Sequence, residues 1–104
     1  MLKFKPGVKL VNLQPQMLIA IQVVEAQMNI LQVDTVVTSG NDSTHKEGSL
    51  HYSGRALDFR TKDTGRNKAV ADGVKKDLAP IGFDVILEDL GGVNEHLHVE
   101  YDPK

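Results

Sequence analysis

The sequence contains no cysteine. A disulfide framework and a thiolate metal site are therefore excluded, and any metal must be held by histidine, aspartate or glutamate. Neither charge is in large excess, because 25% of the residues are charged and the formal net charge is −2. Without a surplus of lysine and arginine, we expect neither nucleic acid nor a membrane surface as a partner.

Long apolar runs are also missing. No segment of about 18 apolar residues occurs, and the residues before Pro15 hold no apolar stretch of signal-peptide length. We therefore expect no membrane span and no export signal, so that the chain is made in the cytoplasm. At 104 residues, of which 40% are hydrophobic, the chain buries one modest core. This size predicts a single domain over residues 1–104.

The spacing of apolar residues predicts two helices. The first covers residues 15–31, starts at Pro15 and has apolar side chains at three- and four-residue steps. These side chains are Met17, Ile21, Val24, Met28 and Leu31. The second helix follows turn formers at residues 63–65, and its apolar positions keep a helical period until Pro80-Ile81-Gly82. They are Val70, Val74, Leu78 and Ile81.

Four strands are predicted, at residues 33–38, 55–60, 83–88 and 96–101, by β-branched or alternating residues next to turn formers. The polar connection at residues 39–54 holds two of the four histidines, and so long a loop in a small domain is typical of a functional segment. This order of elements predicts an α+β fold. We expect a small, mostly antiparallel sheet with two helices packed on one face and a zinc site on the other.

Alternation within two strands predicts what lies on the open face of the sheet. Successive strand residues face opposite sides, and the large apolar residues of both strands are at odd-numbered positions. They are Leu57, Phe59, Leu97, Val99 and Tyr101. Asp58 of the second strand and His96 and His98 of the last strand therefore face away from the helices, as a metal site on the sheet requires.

Histidine and aspartate in these positions favour a zinc site. Zinc binds imidazole nitrogen and carboxylate oxygen at about 2 Å, and a catalytic site uses three protein ligands and an open position. Gly54 allows a sharp turn, so that His51 and Asp58 can reach one ion together with His98. A nearby glutamate, either Glu95 or Glu88, would then accept the proton of an activated water.

Two segments resemble the zinc signature of the D-alanyl-D-alanine carboxypeptidase and dipeptidase family: SLHYSGRALDF at residues 49–59 and EHLH at residues 95–98. They also resemble the hedgehog signalling domain, which shares that zinc fold, and the similarity extends over about residues 36–101. The resemblance implies that His51, Asp58 and His98 are zinc ligands and that Glu95 is the catalytic base. Hedgehog domains lack a glutamate at the place of Glu95, so its presence here favours an active peptidase.

The sequence departs from this resemblance in two places. The bacterial peptidases carry an arginine in the loop before the first ligand, where this chain has Asp42, which cannot stabilise an oxyanion. His45 lies where hedgehog domains place a second active-site histidine, and we expect it to supply the missing hydrogen-bond donor. Glu95 and His98 are three residues apart, so either the last strand begins after Glu95 or it bulges there. Glu88 is the alternative base.

Three functions follow from these residues. The first is a zinc metallopeptidase that hydrolyses amide bonds in peptidoglycan stem peptides, of the D-Ala-D-Ala carboxypeptidase or L-Ala-D-Glu endopeptidase type. Such a monomeric enzyme, with His96 contacting substrate, would be released or delivered by a phage to the cell wall. The second is a non-catalytic, hedgehog-like zinc module that binds a protein or a glycan. The third is a calcium-regulated relative, for which the loop supplies only Asp42 and Glu47.

Overall fold

The computed structural model describes residues 1–41, 50–51 and 53–103. It has two α-helices, α1 (Gln16–Ile30) and α2 (Asn67–Leu78). A 3-10 turn, Ala79–Ile81, follows α2. The five strands are β1 (Leu2–Phe4), β2 (Thr35–Ser39), β3 (Ala56–Arg60), β4 (Phe83–Glu88) and β5 (His96–Tyr101). Among these described residues, neither helix has the length and apolar character needed to cross a membrane.

The strands form one mixed sheet in the order β1-β2-β3-β5-β4. β1 pairs with β2 in parallel, and the other three pairings are antiparallel. The predicted α+β class, with two helices and a mostly antiparallel sheet, is therefore confirmed. The edge strand β1 was not predicted, because three residues are too few to show an alternating pattern. It brings Lys5 beside β2, where the Lys5 amide donates to the Val37 carbonyl at 2.8 Å.

The hydrophobic core lies between the helices and the odd-numbered residues of the sheet. From the helices it takes Met17, Ala20, Ile21, Val24, Met28, Val70, Val74 and Leu78. From the strands it takes Val37, Leu57, Phe59, Phe83, Val85, Leu97 and Val99. Burying a side chain of this size contributes about 1.5–3 kcal/mol each. The helical stripes and the strand faces predicted from apolar spacing are thus confirmed, so the even-numbered residues of β3 and β5 are left for the open face. The exception is Ile81, which lies in the 3-10 turn after α2 and is exposed, because the helix ends at Leu78.

A left-handed residue ends α1 one position earlier than predicted. Gln32 has φ +60°, and its amide donates to the Asn29 carbonyl. The next amide, that of Val33, reaches back to the Met28 carbonyl at 3.0 Å. These two bonds form a Schellman motif, which satisfies the last carbonyls of the helix. Because Val33 belongs to this motif, β2 starts at Thr35 instead of residue 33.

Gly54 connects the segment containing His51 to β3. Its φ is +73°, and a Cβ added there would lie 2.1 Å from the carbonyl oxygen of Asn12. The Gly54 carbonyl also accepts a hydrogen bond from the Gln14 amide at 2.9 Å. Both the left-handed backbone and the close approach require glycine. The sharp turn predicted at this position is confirmed.

Candidate metal centre

The open face of the sheet brings charged residues from three neighbouring strands into register. Asp58 of β3 is the pairing partner of His98 of β5, and Arg60 is the partner of His96. On the other side of β5, Glu88 of β4 pairs with His96. Antiparallel partners on one face have side chains about 5 Å apart. The register therefore gathers these groups above the centre of the sheet.

Three buried side chains converge at one point of this face. The Oδ1 atom of Asp58 lies 3.2 Å from His51 Nε2 and 2.9 Å from His98 Nδ1. The three residues are 2%, 8% and 9% exposed for His51, Asp58 and His98 respectively. One ligand atom from each lies within 4.8 Å of the others, so the group could hold a metal ion. Two ligands bound at about 2.1 Å to a tetrahedral ion lie about 3.4 Å apart, which these separations approach.

His98 has an acidic partner at each ring nitrogen. Its Nδ1 lies 2.9 Å from Asp58 Oδ1, and its Nε2 lies 2.6 Å from Glu100 Oε1. A neutral imidazole has only one N–H, so one nitrogen must face its carboxylate through an added proton or a metal ion. If the Nε2–H group donates a hydrogen bond to Glu100, Nδ1 is left free to bind a metal, which is the arrangement that carboxylates give to metal-bound histidines.

The ionisation of this group reflects the same contacts. Burial lowers the pKa of His98, but its bonds to Asp58 and Glu100 outweigh burial and raise the pKa to about 9. Burial raises the pKa of Asp58, but hydrogen bonds from His51 and His98 hold it well below its usual range. The carboxylate of Asp58 is therefore charged at neutral pH, and without a metal the ring of His98 is charged as well.

Glu88 and His96 lie directly beside these three residues. Glu88 Oε1 is 2.9 Å from His96 Nε2 and 3.8 Å from His98 Nδ1. His96 donates its Nδ1 proton to the Asn94 carbonyl at 2.7 Å, which turns Nε2 toward Glu88 and toward Asp58 Oδ1, 3.7 Å away. Burial lowers the pKa of His96, but the Asn94 carbonyl and the two carboxylates raise it overall. Asp58, Glu88 and His96 form a second group whose ligand atoms lie within 4.8 Å.

The carboxylate of Glu95 is directed to a different set of partners. It accepts hydrogen bonds from Thr61 Oγ1 at 2.8 Å, from Asn67 Nδ2 at 2.8 Å and from the Gly91 amide at 3.2 Å. The residue is 8% exposed. Burial raises its pKa, but these three bonds outweigh burial and lower it. β5 begins at His96, the first of the two backbone arrangements that the sequence left open.

The structure thus places the two candidate bases differently. Glu88 faces the nitrogens of His96 and His98, whereas both oxygens of Glu95 are engaged by Thr61, Asn67 and Gly91. A sequence signal for Glu88 existed, because β4 and β5 are both six residues long. When two strands of equal length pair antiparallel over their whole length, the last residue of β4, Glu88, lies opposite the first residue of β5, His96.

A cavity of about 590 Å³ opens beside the metal centre. Asp58 and His96 of the candidate groups line it, and so does Glu95. Three cationic residues, Lys5, Arg60 and Lys62, complete much of its wall. A substrate in this cavity would therefore meet both the candidate ligand Asp58 and positively charged side chains. The remaining predicted residues of the loop, His45 with Asp42 and Glu47, lie outside the described residues.

One comparison with known proteins bears on this geometry. The family model of the hedgehog amino-terminal signalling domain matches residues 12–98. The matched stretch covers most of the chain and includes the three residues of the buried His/Asp group, His51, Asp58 and His98. The hedgehog part of the resemblance seen in the sequence is therefore confirmed.

Proposed function

Because the chain belongs to the family of the hedgehog amino-terminal signalling domain, we propose that it holds a zinc ion at His51, Asp58 and His98 and acts as a zinc metallopeptidase. The observation that carries the proposal is the position of Glu88. Its carboxylate stands 3.8 Å from the Nδ1 atom of His98, next to the candidate ligands and not among them. A purely structural zinc site does not need a basic group there.

The donor set of the site fits zinc. Two imidazole nitrogens and one carboxylate oxygen match a catalytic zinc site with three protein ligands, and the Glu100 carboxylate orients one of the imidazoles. When bound there, zinc would supply the Lewis acidity that activates water and polarises an amide carbonyl. The chain itself has no cysteine, which accords with a nitrogen and oxygen site.

Glu88 is well placed to move protons in such a reaction. Its side chain is 46% exposed, so water and substrate can reach the carboxylate. In the proposed reaction Glu88 accepts the proton of the attacking water and then delivers it to the nitrogen of the departing amine. His96, whose ring is fixed at Nδ1 by the Asn94 carbonyl, holds the Glu88 carboxylate beside the ligands through its Nε2 atom.

The proposed substrates are peptidoglycan stem peptides, cleaved by a D-Ala-D-Ala carboxypeptidase or L-Ala-D-Glu endopeptidase activity. The support for this class is the peptidase-like zinc signature at residues 49–59 and 95–98, together with a cavity large enough for a short peptide. Stem peptides carry free carboxylates, and the cationic residues of the cavity wall are suited to them.

A second candidate function is a non-catalytic, zinc-containing module that binds a protein or a glycan. The match to a signalling domain favours it, because a binding domain can use the same fold without turnover. The two candidates differ at Glu88, which a hydrolase requires as a base and a binding module does not.

The proposal is tested by metal analysis and a hydrolysis assay on the same preparation. We expect about one zinc per chain, and release of fragments from purified stem peptides that stops on chelation and returns with zinc. Protein without bound zinc after exposure to excess zinc would contradict the metal centre. Zinc at one per chain with no cleavage of any stem peptide would contradict the peptidase and support the binding module.

A further inference from the structure

Two cationic side chains on the cavity wall lie next to the metal centre. Arg60 is two residues beyond Asp58 on β3 and is the pairing partner of His96, so it belongs to the same face as the candidate ligands. Lys5 follows β1, and the hydrogen bond from its backbone amide to the Val37 carbonyl holds it beside β2. Both residues line the cavity that Asp58 and His96 also line. The residue after β1 and a residue of β3 thus bring positive charge to one cavity.

The other charged groups of the cavity wall already have hydrogen-bond or ion-pair partners. Lys62 lies 3.4 Å from Asp63, and the Glu95 carboxylate accepts its three hydrogen bonds from Thr61, Asn67 and Gly91. Asp58 faces the histidines of the metal centre. Across residues 1–41, 50–51 and 53–103, the side chains of Lys5 and Arg60 have no hydrogen-bonding or ion-pair partner. The charged side chains of the wall that have no partner among the described residues are therefore both positive.

From this arrangement we propose that Arg60, assisted by Lys5, binds a carboxylate of the substrate beside the scissile amide, an inference that rests on the proposed hydrolase function. The planar guanidinium presents two parallel N–H donors, which match the two oxygens of a carboxylate. The ammonium of Lys5 adds a second charge without a fixed geometry. A peptide that carries a free carboxylate near the cleaved bond is thereby selected over its neutral amide.

The test compares two synthetic stem peptides that differ only in one group, a free carboxylate or the corresponding carboxamide. The wild-type protein is expected to prefer the carboxylate peptide by about 10- to 100-fold in kcat/KM, the range that charge-assisted hydrogen bonds supply. In Arg60→Ala we expect this preference to disappear, with most of the change in KM, because the contact is made equally in the bound and transition states. Arg60→Lys should recover part of the preference, and Lys5→Ala should reduce it less than Arg60→Ala.

The matched control is Lys76→Ala, which removes an exposed positive charge on α2 that does not line the cavity. It should keep the carboxylate preference, and every variant should retain its zinc content and unfolding midpoint. If Arg60→Ala discriminates between the two peptides as well as Lys76→Ala does, the proposal is wrong.

Binding of the same two peptides, measured by calorimetry on Glu88→Gln protein loaded with zinc, separates this proposal from the peptidase itself. One outcome is that the wild type hydrolyses neither peptide but binds the carboxylate peptide selectively, and that Arg60→Ala abolishes this selectivity. The proposed carboxylate-binding site is then supported and the proposed peptidase activity is wrong. If both peptides are hydrolysed at equal rates and bound equally, the peptidase activity is supported and the proposed carboxylate-binding site is wrong.

Discussion

The Nε2 atom of His98 lies 2.6 Å from Oε1 of Glu100, two residues further along the same strand and on the same face of the sheet. This contact orients the ring so that Nδ1 faces Asp58 and Glu88. The geometry of the candidate metal centre thus depends on a carboxylate that is not one of the three candidate ligands.

Replacing Glu100 by glutamine should weaken metal binding. Loss of a carboxylate behind a metal-bound histidine typically lowers metal affinity by about 10- to 100-fold. A competition titration of Glu100→Gln with a zinc-binding dye measures the change. The control is Asp72→Asn, an exposed acid on α2 that has no part in the site. Equal zinc affinities for the two variants would contradict the role of Glu100.

The metal-free protein should lose stability as the pH rises through about 9. The pKa of His98 is raised to about 9 in the folded chain, whereas an unfolded chain has a histidine pKa of about 6.5. The charged ring therefore stabilises the fold fully below about pH 6.5, and this contribution is lost as the pH passes through the folded-state pKa. Urea unfolding of chelated protein between pH 6 and 9.5 measures the loss.

Two comparisons make this pH dependence specific to His98. The variant His98→Gln should show a smaller decline over the same pH range, because it lacks the titrating ring. Saturating zinc should also remove the decline, since the metal takes the place of the Nδ1 proton. Parallel curves for the metal-free wild type and His98→Gln would show that other groups cause the pH dependence.

Substitutions of Glu88 and Glu95 should have different effects on kcat. We expect Glu88→Gln to bind zinc as the wild type does and to lower kcat by about 10²- to 10⁴-fold, the usual contribution of a general base. The variant Glu95→Gln should keep kcat within a few-fold under conditions where it is folded. Steady-state assays on one stem peptide decide between them. A reversed result would return the base role to Glu95.

Glu95→Gln should instead lower the free energy of unfolding. The glutamine amide replaces one accepting oxygen by an NH₂ group, which leaves donors among Thr61, Asn67 and Gly91 unpaired, at a cost of about 1–3 kcal/mol. The pKa of Glu95 is lowered in the folded chain. Its contribution is therefore present above the unfolded-state pKa of about 4.3 and is lost as the pH falls through the folded-state pKa.

Chemical unfolding at pH 7 and at pH 3 measures both effects of Glu95. The difference between wild type and Glu95→Gln should be large at pH 7 and should shrink toward pH 3. Glu25→Gln on α1 is the control, because Glu25 makes none of these contacts and should show little difference at either pH. A difference of the same size at both pH values would exclude the carboxylate as its source.

Gly54→Ala should reduce both stability and zinc affinity. The added Cβ would meet the carbonyl oxygen of Asn12 at 2.1 Å, so the turn between His51 and β3 must shift. Gly65→Ala is a matched control, since Gly65 has φ +69° and nothing within 4 Å of the added Cβ. Both variants carry left-handed strain of about 1–2 kcal/mol, but only Gly54→Ala should lose zinc in a competition titration.

Much of the fold was predictable because its information is local. In β3 from Leu57 onward and in β5, apolar residues alternate with polar ones, so a single pattern predicts both the core residue Leu57 and the open-face residue Asp58. The helical stripes are likewise written at steps of three and four residues. These periodic signals need no knowledge of which strands pair.

The contacts of the two glutamates depended on pairing, which is not local. Thr61 and Asn67 bind Glu95 across 34 and 28 residues of chain. Glu88 reaches His96 only because β4 and β5 share one register. The short parallel strand β1, which has too few residues to show a pattern of its own, likewise depends on pairing with β2, some thirty residues away along the chain. The resemblance to the peptidase family, through the EHLH segment at residues 95–98, favoured Glu95 as the base.

The pairing of Asp58 with His98 makes the candidate metal centre sensitive to strand alignment. Sliding β5 along β3 by one residue would turn both histidines of β5 toward the helices and Leu97 toward water. Core and ligand set are therefore correct together or lost together. Zinc would bind only to chains with the native alignment, and by mass action it would draw misaligned chains back to it. Bound zinc would thus favour the native strand alignment during folding, in addition to any chemistry it supports.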